Sequence, residues 1–281
     1  MPLNNVAEKT PRQDMGRVAQ MPKTIRSKIR ARSIGKTFGE GDHAFVALED
    51  FNLDIADGEF VSIVGPSGCG KSTFLRILAG LETQSVGEIE IVREDSAKAL
   101  LNVVFQEQSA FPWLTVRDNV SYGLRMRGLP KKTIKAVVDD WIAKVGLKAF
   151  ADAYPHQLSG GMKQRVSIAR AWANDPEILL MDEPFAALDA LTKTVLQDEL
   201  LELWEANRRT VVYVTHSLDE AVTLSDRIVV MSSRPGRIRE VFDVPFERQR
   251  DAHAIKKDPR YGELIEAIWS ILHDEVVSKA K

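Results

Sequence analysis

The stretch that decides the fold is Phe60-Val61-Ser62-Ile63-Val64-Gly65-Pro66-Ser67-Gly68-Cys69-Gly70-Lys71-Ser72-Thr73. It begins with an apolar run that predicts a buried strand, and a helical pattern of apolar residues follows it. Between strand and helix, residues 65–72 fit the pattern G-x-x-x-x-G-K-[ST] without a departure. Glycines let the backbone approach a phosphate chain closely, and the loop amides and the helix N-terminus then point at the anion. The stretch therefore predicts a phosphate-binding loop rather than a chance glycine-rich turn.

Side chains of this loop also have predicted roles. Lys71 supplies a mobile positive charge for the β- and γ-phosphates, and the Ser72 hydroxyl is placed to ligate Mg²⁺. Cys69 lies inside the loop, so we expect the bound phosphate ligand to shield its thiol; the alternative is a buried, inert cysteine. The predicted nucleotide-binding residues of the loop are Gly65, Pro66, Ser67, Gly68, Cys69, Gly70, Lys71, Ser72 and Thr73.

The composition of the 281-residue chain limits the classes of protein to consider. It is 44% hydrophobic, which suits one large domain or one domain with an appendage, and its formal net charge of −2 gives no overall reason to expect nucleic-acid binding. The single cysteine excludes an intrachain disulfide framework and fits a reducing compartment. We expect no transmembrane helix, because no run of 18 apolar residues occurs, and no signal peptide.

The two ends of the chain are predicted to differ from the middle. Residues 1–28 are polar and basic, which is typical of a disordered tail, although a basic arm on anionic lipid is the alternative. Strands are predicted over residues 29–38 and 45–55. Phe38, at the end of the first strand, could stack on an adenine ring or pack in the core. The amphipathic pattern near the C-terminus predicts a helical extension over residues 246–281.

Strand patterns stop after residue 106 and helical patterns begin. We therefore predict a helical subdomain over about residues 107–175, inserted in an α/β domain that covers residues 29–245. Within the insert, residues 159–161 read Ser-Gly-Gly at a helix start. From geometry alone, an ordinary helix cap by Ser159 is a better interpretation of these residues than an anion site.

Polar side chains follow two of the predicted buried strands. Asp182 and Glu183 come directly after the apolar run 178–181, at the edge of a parallel sheet where ligands bind. Asp182 is then placed for Mg²⁺, and Glu183 is placed as a general base for water; the alternative is a solvated acidic turn. His216 follows the β-branched strand 210–214, where a polar role is favoured over a structural one.

Together these elements closely resemble the ATP-binding cassette (ABC) ATPases. Residues 65–73 resemble the Walker A loop and residues 158–164, LSGGMKQ, the family signature. The further matches are Gln106 to the Q-loop glutamine, residues 178–183 to Walker B with its catalytic Glu183, Asp189 to the D-loop and His216 to the switch histidine. The resemblance implies a P-loop NTPase fold, with a RecA-like mixed sheet core, an antiparallel β edge and a helical insert.

The resemblance also implies a mechanism and partners. Two cassettes pair head to tail, so that Ser159, Gly160 and Gly161 contact the γ-phosphate of the ATP held by the second subunit. Asp189, as the D-loop aspartate, is a further predicted nucleotide-binding residue. Glu183 orients or deprotonates the attacking water, His216 holds the γ-phosphate, and Gln106 senses that phosphate through Mg²⁺. Stabilisation of phosphoryl charge is then the main catalytic effect.

Several shorter motifs are similar to the nitrate/sulfonate/taurine importer ATPases. They are residues 65–73, 105–107, 112–116, 184–185 and 234–238. This similarity implies a peripheral subunit on the cytoplasmic face of the bacterial inner membrane, working with permease subunits and a periplasmic binding protein. The departures are Ser217, where an aspartate is usual, a short charged region at 93–100 and the long N-terminal tail.

The rival classes are a soluble cassette protein of translation or DNA repair, an importer ATPase for a different metabolite, an exporter half and a P-loop kinase or GTPase. The translation and repair factors usually carry two cassettes or a long coiled coil, and neither pattern occurs in this sequence. Within the insert, the apolar cluster Phe111 to Leu114 is expected to dock a membrane subunit; inward packing is the alternative.

Overall fold

A computed structural model describes residues 26–106, 110–186, 188–248 and 250–277 of the chain. These residues form nine strands and eight α-helices. In chain order they are β1 (Ser27–Phe38), β2 (Phe45–Ala56), β3 (Phe60–Val64), α1 (Lys71–Leu78), β4 (Val86–Ile91), β5 (Leu101–Val104), α2 (Val116–Met126), α3 (Lys131–Lys144), α4 (Gly160–Ala173), β6 (Ile178–Asp182), α5 (Ala190–Asn207), β7 (Thr210–Val214), α6 (Leu218–Leu224), β8 (Arg227–Met231), β9 (Ile238–Asp243), α7 (Ala252–Ile255) and α8 (Pro259–Val277).

Two sheets form the framework. The larger has the order β5-β6-β7-β3-β8-β9, in which the first five strands are parallel and β9 is antiparallel to β8. The smaller is antiparallel, with the order β2-β1-β4. The predicted mixed sheet with an antiparallel β edge is therefore confirmed. Since β3 lies between β7 and β8, every residue of this strand is buried, which explains its continuous apolar sequence.

The apolar faces of the large sheet contribute to three hydrophobic clusters. Val61 and Ile63 face α1 and the small sheet, whereas Phe60 packs with Trp204 and with the helices α2 to α4 of the predicted insert. The third cluster joins α6 and β8 to Tyr261 and Ile268 of α8. The last helix thus shares a core with the sheet, an arrangement that the amphipathic pattern of α8 did not specify.

The first strand begins at Ser27, two residues before the predicted start. The predicted tail, residues 1–28, therefore extended too far along the chain. Lys28 is 2% exposed, and its ammonium pairs with the Glu177 carboxylate at 2.5 Å. This lysine is therefore part of the sheet and not of a tail. Residues 1–25 lie outside the described residues. Two short elements, α6 and β9, were not predicted from the sequence. No helix in the described ranges is long and apolar enough to span a membrane.

Candidate functional site

The loop between β3 and α1 has the conformation that its glycines permit. Gly70 caps α1 with φ of +106°, a region that other residues rarely adopt. A Cβ on Gly70 would lie 2.7 Å from Leu48 Cδ2 and 2.9 Å from the Ala47 carbonyl oxygen. No larger residue fits here without moving the backbone of β2. The sharp turn at Gly70 is therefore available only to glycine, and α1 begins directly after it at Lys71.

Lys71 and Ser72 begin α1 and reach the site from the same helix turn. The Lys71 ammonium is buried and donates to the carbonyl oxygens of Gly65, at 2.8 Å, and Pro66, at 3.0 Å. The Ser72 hydroxyl donates to Asp182 Oδ1 at 2.9 Å. The second contact ties the first turn of α1 to the end of β6, as expected for residues that share a metal ion.

Asp182 and Glu183 end β6 in different environments. Asp182 is buried, and the burial raises the pKa of its carboxyl group; the nearby Glu183 charge raises it further, while the Ser72 hydrogen bond lowers it. Glu183 has a φ of +43° and donates its backbone N–H to the Val214 carbonyl at 2.8 Å. This conformation aims the Glu183 side chain away from β6, toward the loops that follow β5 and β7.

Three predicted catalytic residues meet at that point. His216 Nδ1 lies 2.9 Å from Glu183 Oε2, and Gln106 Nε2 donates to the same oxygen at 3.3 Å. Each residue follows a different strand of the large sheet, in the order β5, β6, β7. Ser217, where an aspartate is usual, acts as the N-cap of α6 and accepts a hydrogen bond from the Glu220 N–H at 3.4 Å. This departure leaves the position of His216 intact.

These residues line an open cleft of about 550 Å³. At one end are Lys71, Ser72, Gln106, Glu183 and His216; the full lining also includes Phe38, Phe45, Ala47, Ser67, Gly68, Gly70, Thr73 and Arg234. Most of the predicted nucleotide and catalytic residues are thus brought together in one cavity. Its size suits a nucleotide-sized ligand.

The other end of the cleft has an aromatic wall. Phe38 lies on this wall and not in the core, and its ring stacks on Phe45 with 5.4 Å between centroids. Phe45 is 43% exposed, and the Arg234 guanidinium lies 5.1 Å from its ring centroid. Sequence reasoning missed Phe45, Ala47 and Arg234. For Phe45, the signal in the sequence was its position just after a polar turn. For Arg234, it was the motif at residues 234–238.

Cys69 requires a correction. Its side chain is 1% exposed and packs with α1 beneath the loop, with Sγ 3.9 Å from the Lys71 Nζ. The expectation that bound ATP shields an accessible thiol is therefore wrong, because the fold itself buries the thiol. Like Gly65 and Pro66, Cys69 is absent from the cleft lining that the described residues form. Its assignment as a nucleotide-binding residue of the loop stays a prediction.

The signature residues lie elsewhere. Ser159 caps α4, and its hydroxyl accepts from the Met162 N–H at 3.3 Å. Asp189 caps α5, and the backbone hydrogen bond from Thr192, at 3.0 Å, lowers the pKa of its carboxyl group. Among the described residues that line the cleft, neither Asp189 nor any of residues 159–161 occurs. The helix-cap interpretation of Ser159 is accurate for the single chain.

Comparisons with known proteins agree with this geometry. The sequence profile of the ABC transporter family matches residues 48–186. An uncharacterized ABC transporter ATP-binding protein of Methanocaldococcus jannaschii is 46% identical over 259 residues, which are 92% of this chain and 96% of that protein. The aliphatic sulfonates import ATP-binding protein SsuB of Bacillus cereus is 42% identical, over 82% of this chain and 92% of the relative. The taurine import ATP-binding protein TauB of a Jannaschia species is 43% identical, over 81% and 87% respectively.

A solved structure extends the comparison to the fold. The ATP-binding cassette MJ0796, in a dimeric, post-hydrolysis structure bound to ADP and Pi, is 33% identical to this chain. The two structures superpose with a TM-score of 0.68, and the alignment covers 78% of this chain and 100% of that one. With identity of this extent, the same fold and a complete phosphate-binding loop, the chain belongs to the ABC transporter family as an ATP-binding subunit that hydrolyses ATP.

Proposed function

We propose that this chain energises a bacterial importer of a small sulfonate-like, taurine-like or nitrate-like solute. The names of two relatives, sulfonate and taurine import ATP-binding proteins, support the substrate class. The observation that carries the catalytic part is the contact of His216 and Gln106 with one oxygen of Glu183, at the end of the cleft that holds Lys71. The subunit would act on the cytoplasmic face of the inner membrane, with permease subunits and, through them, a periplasmic binding protein.

In the proposed site, the aromatic wall of Phe38 and Phe45 receives the adenine. The phosphate chain then runs along the glycine loop to Lys71. On binding, the Lys71 ammonium exchanges its two carbonyl contacts for phosphate oxygens, which are stronger, charged partners. Gly70 has no side chain that would have to move when the phosphates bind. The loop amides are therefore preorganised for the charge that develops on the transferring group.

The donor set at the end of β6 fits Mg²⁺. Ser72, Asp182 and Gln106 offer hydroxyl, carboxylate and amide oxygens, which are the hard ligands that this ion prefers, and the Ser72–Asp182 contact already joins two of them. Mg²⁺ held by these three residues would supply positive charge that stabilises the phosphate oxygens during transfer. Burial disfavours the ionised form of Asp182, and a neighbouring cation would restore it.

The hydrolytic step falls to Glu183 and His216. Glu183 Oε2 orients the attacking water and accepts its proton as the water oxygen bonds to the γ-phosphorus. The bond between the γ-phosphorus and the oxygen that bridges it to the β-phosphate breaks in the same step, and ADP is the leaving group. His216, held against the same oxygen, turns its other ring nitrogen toward the γ-phosphate and stabilises its charge. The positive φ of Glu183 is a local strain that the Val214 hydrogen bond maintains, so the carboxylate does not retreat along β6.

The separated signature corner supports a head-to-tail dimer. Ser159, Gly160 and Gly161 present a helix N-terminus, which attracts anions, and Asp189 begins the neighbouring helix. A second copy could place this corner over the cleft and complete the phosphate site. The relative MJ0796 is a dimer in its nucleotide-bound structure, in agreement with this arrangement.

Reconstitution tests the transport function. The subunit, assembled with its membrane subunits in proteoliposomes, should hydrolyse ATP faster when the binding protein carries taurine, an alkanesulfonate or nitrate. Stimulation by one of these solutes, and none by sugars or amino acids, is expected. Stimulation only by an unrelated solute would reassign the substrate class, and hydrolysis that neither the membrane subunits nor a loaded binding protein changes would favour a non-transport ATPase.

A further inference from the structure

One residue of the cleft has no role in the proposed mechanism. Arg234 lies on the loop 232–237 between β8 and β9 and faces the phosphate-binding loop. Its Nε donates to the Gly68 carbonyl oxygen at 3.1 Å, and its guanidinium rests 5.1 Å from the Phe45 ring centroid. It therefore lies between the aromatic wall, where adenine is expected, and the reactive end marked by Lys71. This is the stretch that the α- and β-phosphates would cross.

Arg234 also differs from the neighbouring arginines in the pairing of its charge. Arg237 pairs with Glu49 at 2.8 Å, and Arg239 pairs with Glu275 at 2.7 Å. Within residues 26–106, 110–186, 188–248 and 250–277, Arg234 makes no ion pair with a carboxylate. A guanidinium has five N–H donors in a planar fork that matches phosphate oxygens, and the Gly68 contact uses only one of them. The cleft thus contains a cation that lacks an anion.

The loop that carries Arg234 is fixed against the phosphate-binding loop. The Gly236 N–H donates to the Ala47 carbonyl at 2.9 Å, and the Glu49 N–H donates back to Gly236 at 3.1 Å. A Cβ on Gly236 would lie 2.0 Å from the Cys69 carbonyl oxygen, so the two loops touch backbone to backbone. This attachment holds the arginine at a defined place on the cleft rim.

The C-terminal helix fixes the same loop from outside. Glu275, in the last turns of α8, accepts hydrogen bonds from the Ser233 N–H at 2.9 Å and the Ser233 hydroxyl at 3.0 Å. A negative charge near a helix C-terminus is unfavourable by itself, because the helix dipole is negative there. Here the contacts with Ser233 and Arg239 compensate for it. The helix therefore ends in a carboxylate that holds the residue next to Arg234.

We propose that Arg234 is a second cationic ligand of the nucleotide, which binds the α- or β-phosphate, and that Glu275 is a positioning residue for it. The inference rests on the proposed nucleotide site. It gives the C-terminal helix a function in ATP affinity. Glu275 at the helix end holds Ser233 in place, Ser233 positions the adjacent Arg234, and Arg234 contacts the phosphate chain. The bound phosphates would supply the anionic partner that this arginine lacks.

Equilibrium binding of ATP, ADP and adenosine to Arg234→Gln tests the first part. Loss of a charge-assisted hydrogen bond is expected to weaken ATP and ADP binding about tenfold and to leave adenosine binding within about twofold. Arg234→Lys should keep part of the affinity. Arg237→Gln, which removes the same charge from the same loop, is the matched control and should bind all three ligands normally. Equal losses for adenosine and ATP, or no loss for either, would overturn the proposal.

Glu275→Gln tests the positioning role. It should weaken ATP binding in the wild-type background and have no further effect in the Arg234→Gln background, because its influence passes through the arginine. Additive losses in the double variant would overturn this part, since α8 would then act by another route. Lys71→Ala separates the two levels: normal ATP binding by that variant would refute the nucleotide site itself, whereas loss in Lys71→Ala with normal binding in Arg234→Gln refutes only the inference.

Discussion

At the scale of single residues, the carboxylate of Glu183 has the contacts expected of a general base. Its Oε2 contacts both His216 Nδ1 and Gln106 Nε2. We expect Glu183→Gln to bind ATP and to hydrolyse it at least about a hundredfold more slowly, since loss of a general base typically has an effect of this size. Single-turnover hydrolysis measures this.

The control for that variant is Glu202→Gln, which removes a carboxylate from the exposed face of α5. It should hydrolyse ATP at the normal rate. Turnover near the wild-type level in Glu183→Gln would remove this residue from the role of base, whatever its contacts.

Asp182 gives a prediction about stability and pH. Burial raises the pKa of its carboxyl group above the ordinary value, so the ionised form is disfavoured in the folded, ligand-free protein. A raised acid pKa contributes stability below the unfolded-state value, and that stability is lost as pH rises through the folded-state value. Asp182→Asn, which keeps the Ser72 acceptor oxygen, should therefore melt a few degrees higher than wild type near neutral pH.

The same variant should lose the Mg²⁺ dependence of ATP binding. Melting curves at pH 4 and pH 7 check the stability prediction: the difference between variant and wild type should shrink at the lower pH, because a larger fraction of the wild-type carboxyl is protonated there. A variant that is less stable than wild type at both pH values would contradict the assignment of burial as the cause.

At the scale of elements, the segment before α2 is a surface and not a core. Trp113 is 70% exposed and stacks on Phe111 with 5.5 Å between centroids, while Phe111 also contacts Tyr122 and receives the Arg170 guanidinium on its ring. Inward packing, the alternative for this cluster, does not hold for Trp113. The aromatic group is anchored from below, so the exposed ring is held rigid, as interface hot spots often are.

We expect Trp113→Ala to fold and bind ATP normally but to assemble poorly with the membrane subunits, with a loss above about 2 kcal/mol if the ring is an interface hot spot. Co-purification of the complex and coupled uptake measure the loss. Trp172→Ala is the contrasting variant: this ring is buried in the core, so it should lower the melting temperature of the isolated subunit. Normal complex recovery with Trp113→Ala would place the docking surface elsewhere.

At the scale of the whole molecule, the cleft and the signature corner are two separate parts of one chain. Within the signature corner, α4 packs near α5, and Arg165 and Glu199 pair at 2.8 Å. In a head-to-tail dimer, each ATP site combines Lys71 of one subunit with Ser159 of the other. If one subunit has a defective Lys71 and its partner a defective Ser159, both defects fall in one site, and the other site is complete.

A mixture of Lys71→Ala and Ser159→Arg subunits should therefore recover activity that neither variant has alone. With random pairing and independent sites, the recovery approaches about a quarter of the wild-type rate, because half the dimers are mixed and each keeps one of two sites. Steady-state ATPase assays of the mixture check this, with the double variant Lys71→Ala/Ser159→Arg as the control that must stay inactive. Full activity of Ser159→Arg by itself would exclude a role for the signature.

The sequence by itself determined the phosphate-binding loop, the strand before it and the helix after it. The reason is that this chemistry is local: glycine conformations, a helix N-terminus and two side chains of one helix turn lie within residues 60–73 and need no distant partner to be recognised. Periodicity also predicted most of the strands and helices, although not α6 or β9, and the motif order was enough to identify the family.

Only the tertiary structure decided which distant residues meet. Gln106 and His216 both contact Oε2 of Glu183, because the strands that precede these three residues, β5, β6 and β7, are neighbours in the sheet. Periodicity along the chain does not specify that strand order. Side-chain exposure was equally beyond the sequence: Phe38 and Trp113 are apolar yet exposed to cleft or solvent, whereas Cys69, inside a polar loop, is buried. Burial depends on what the rest of the fold packs against a residue, so local pattern left each of these alternatives open.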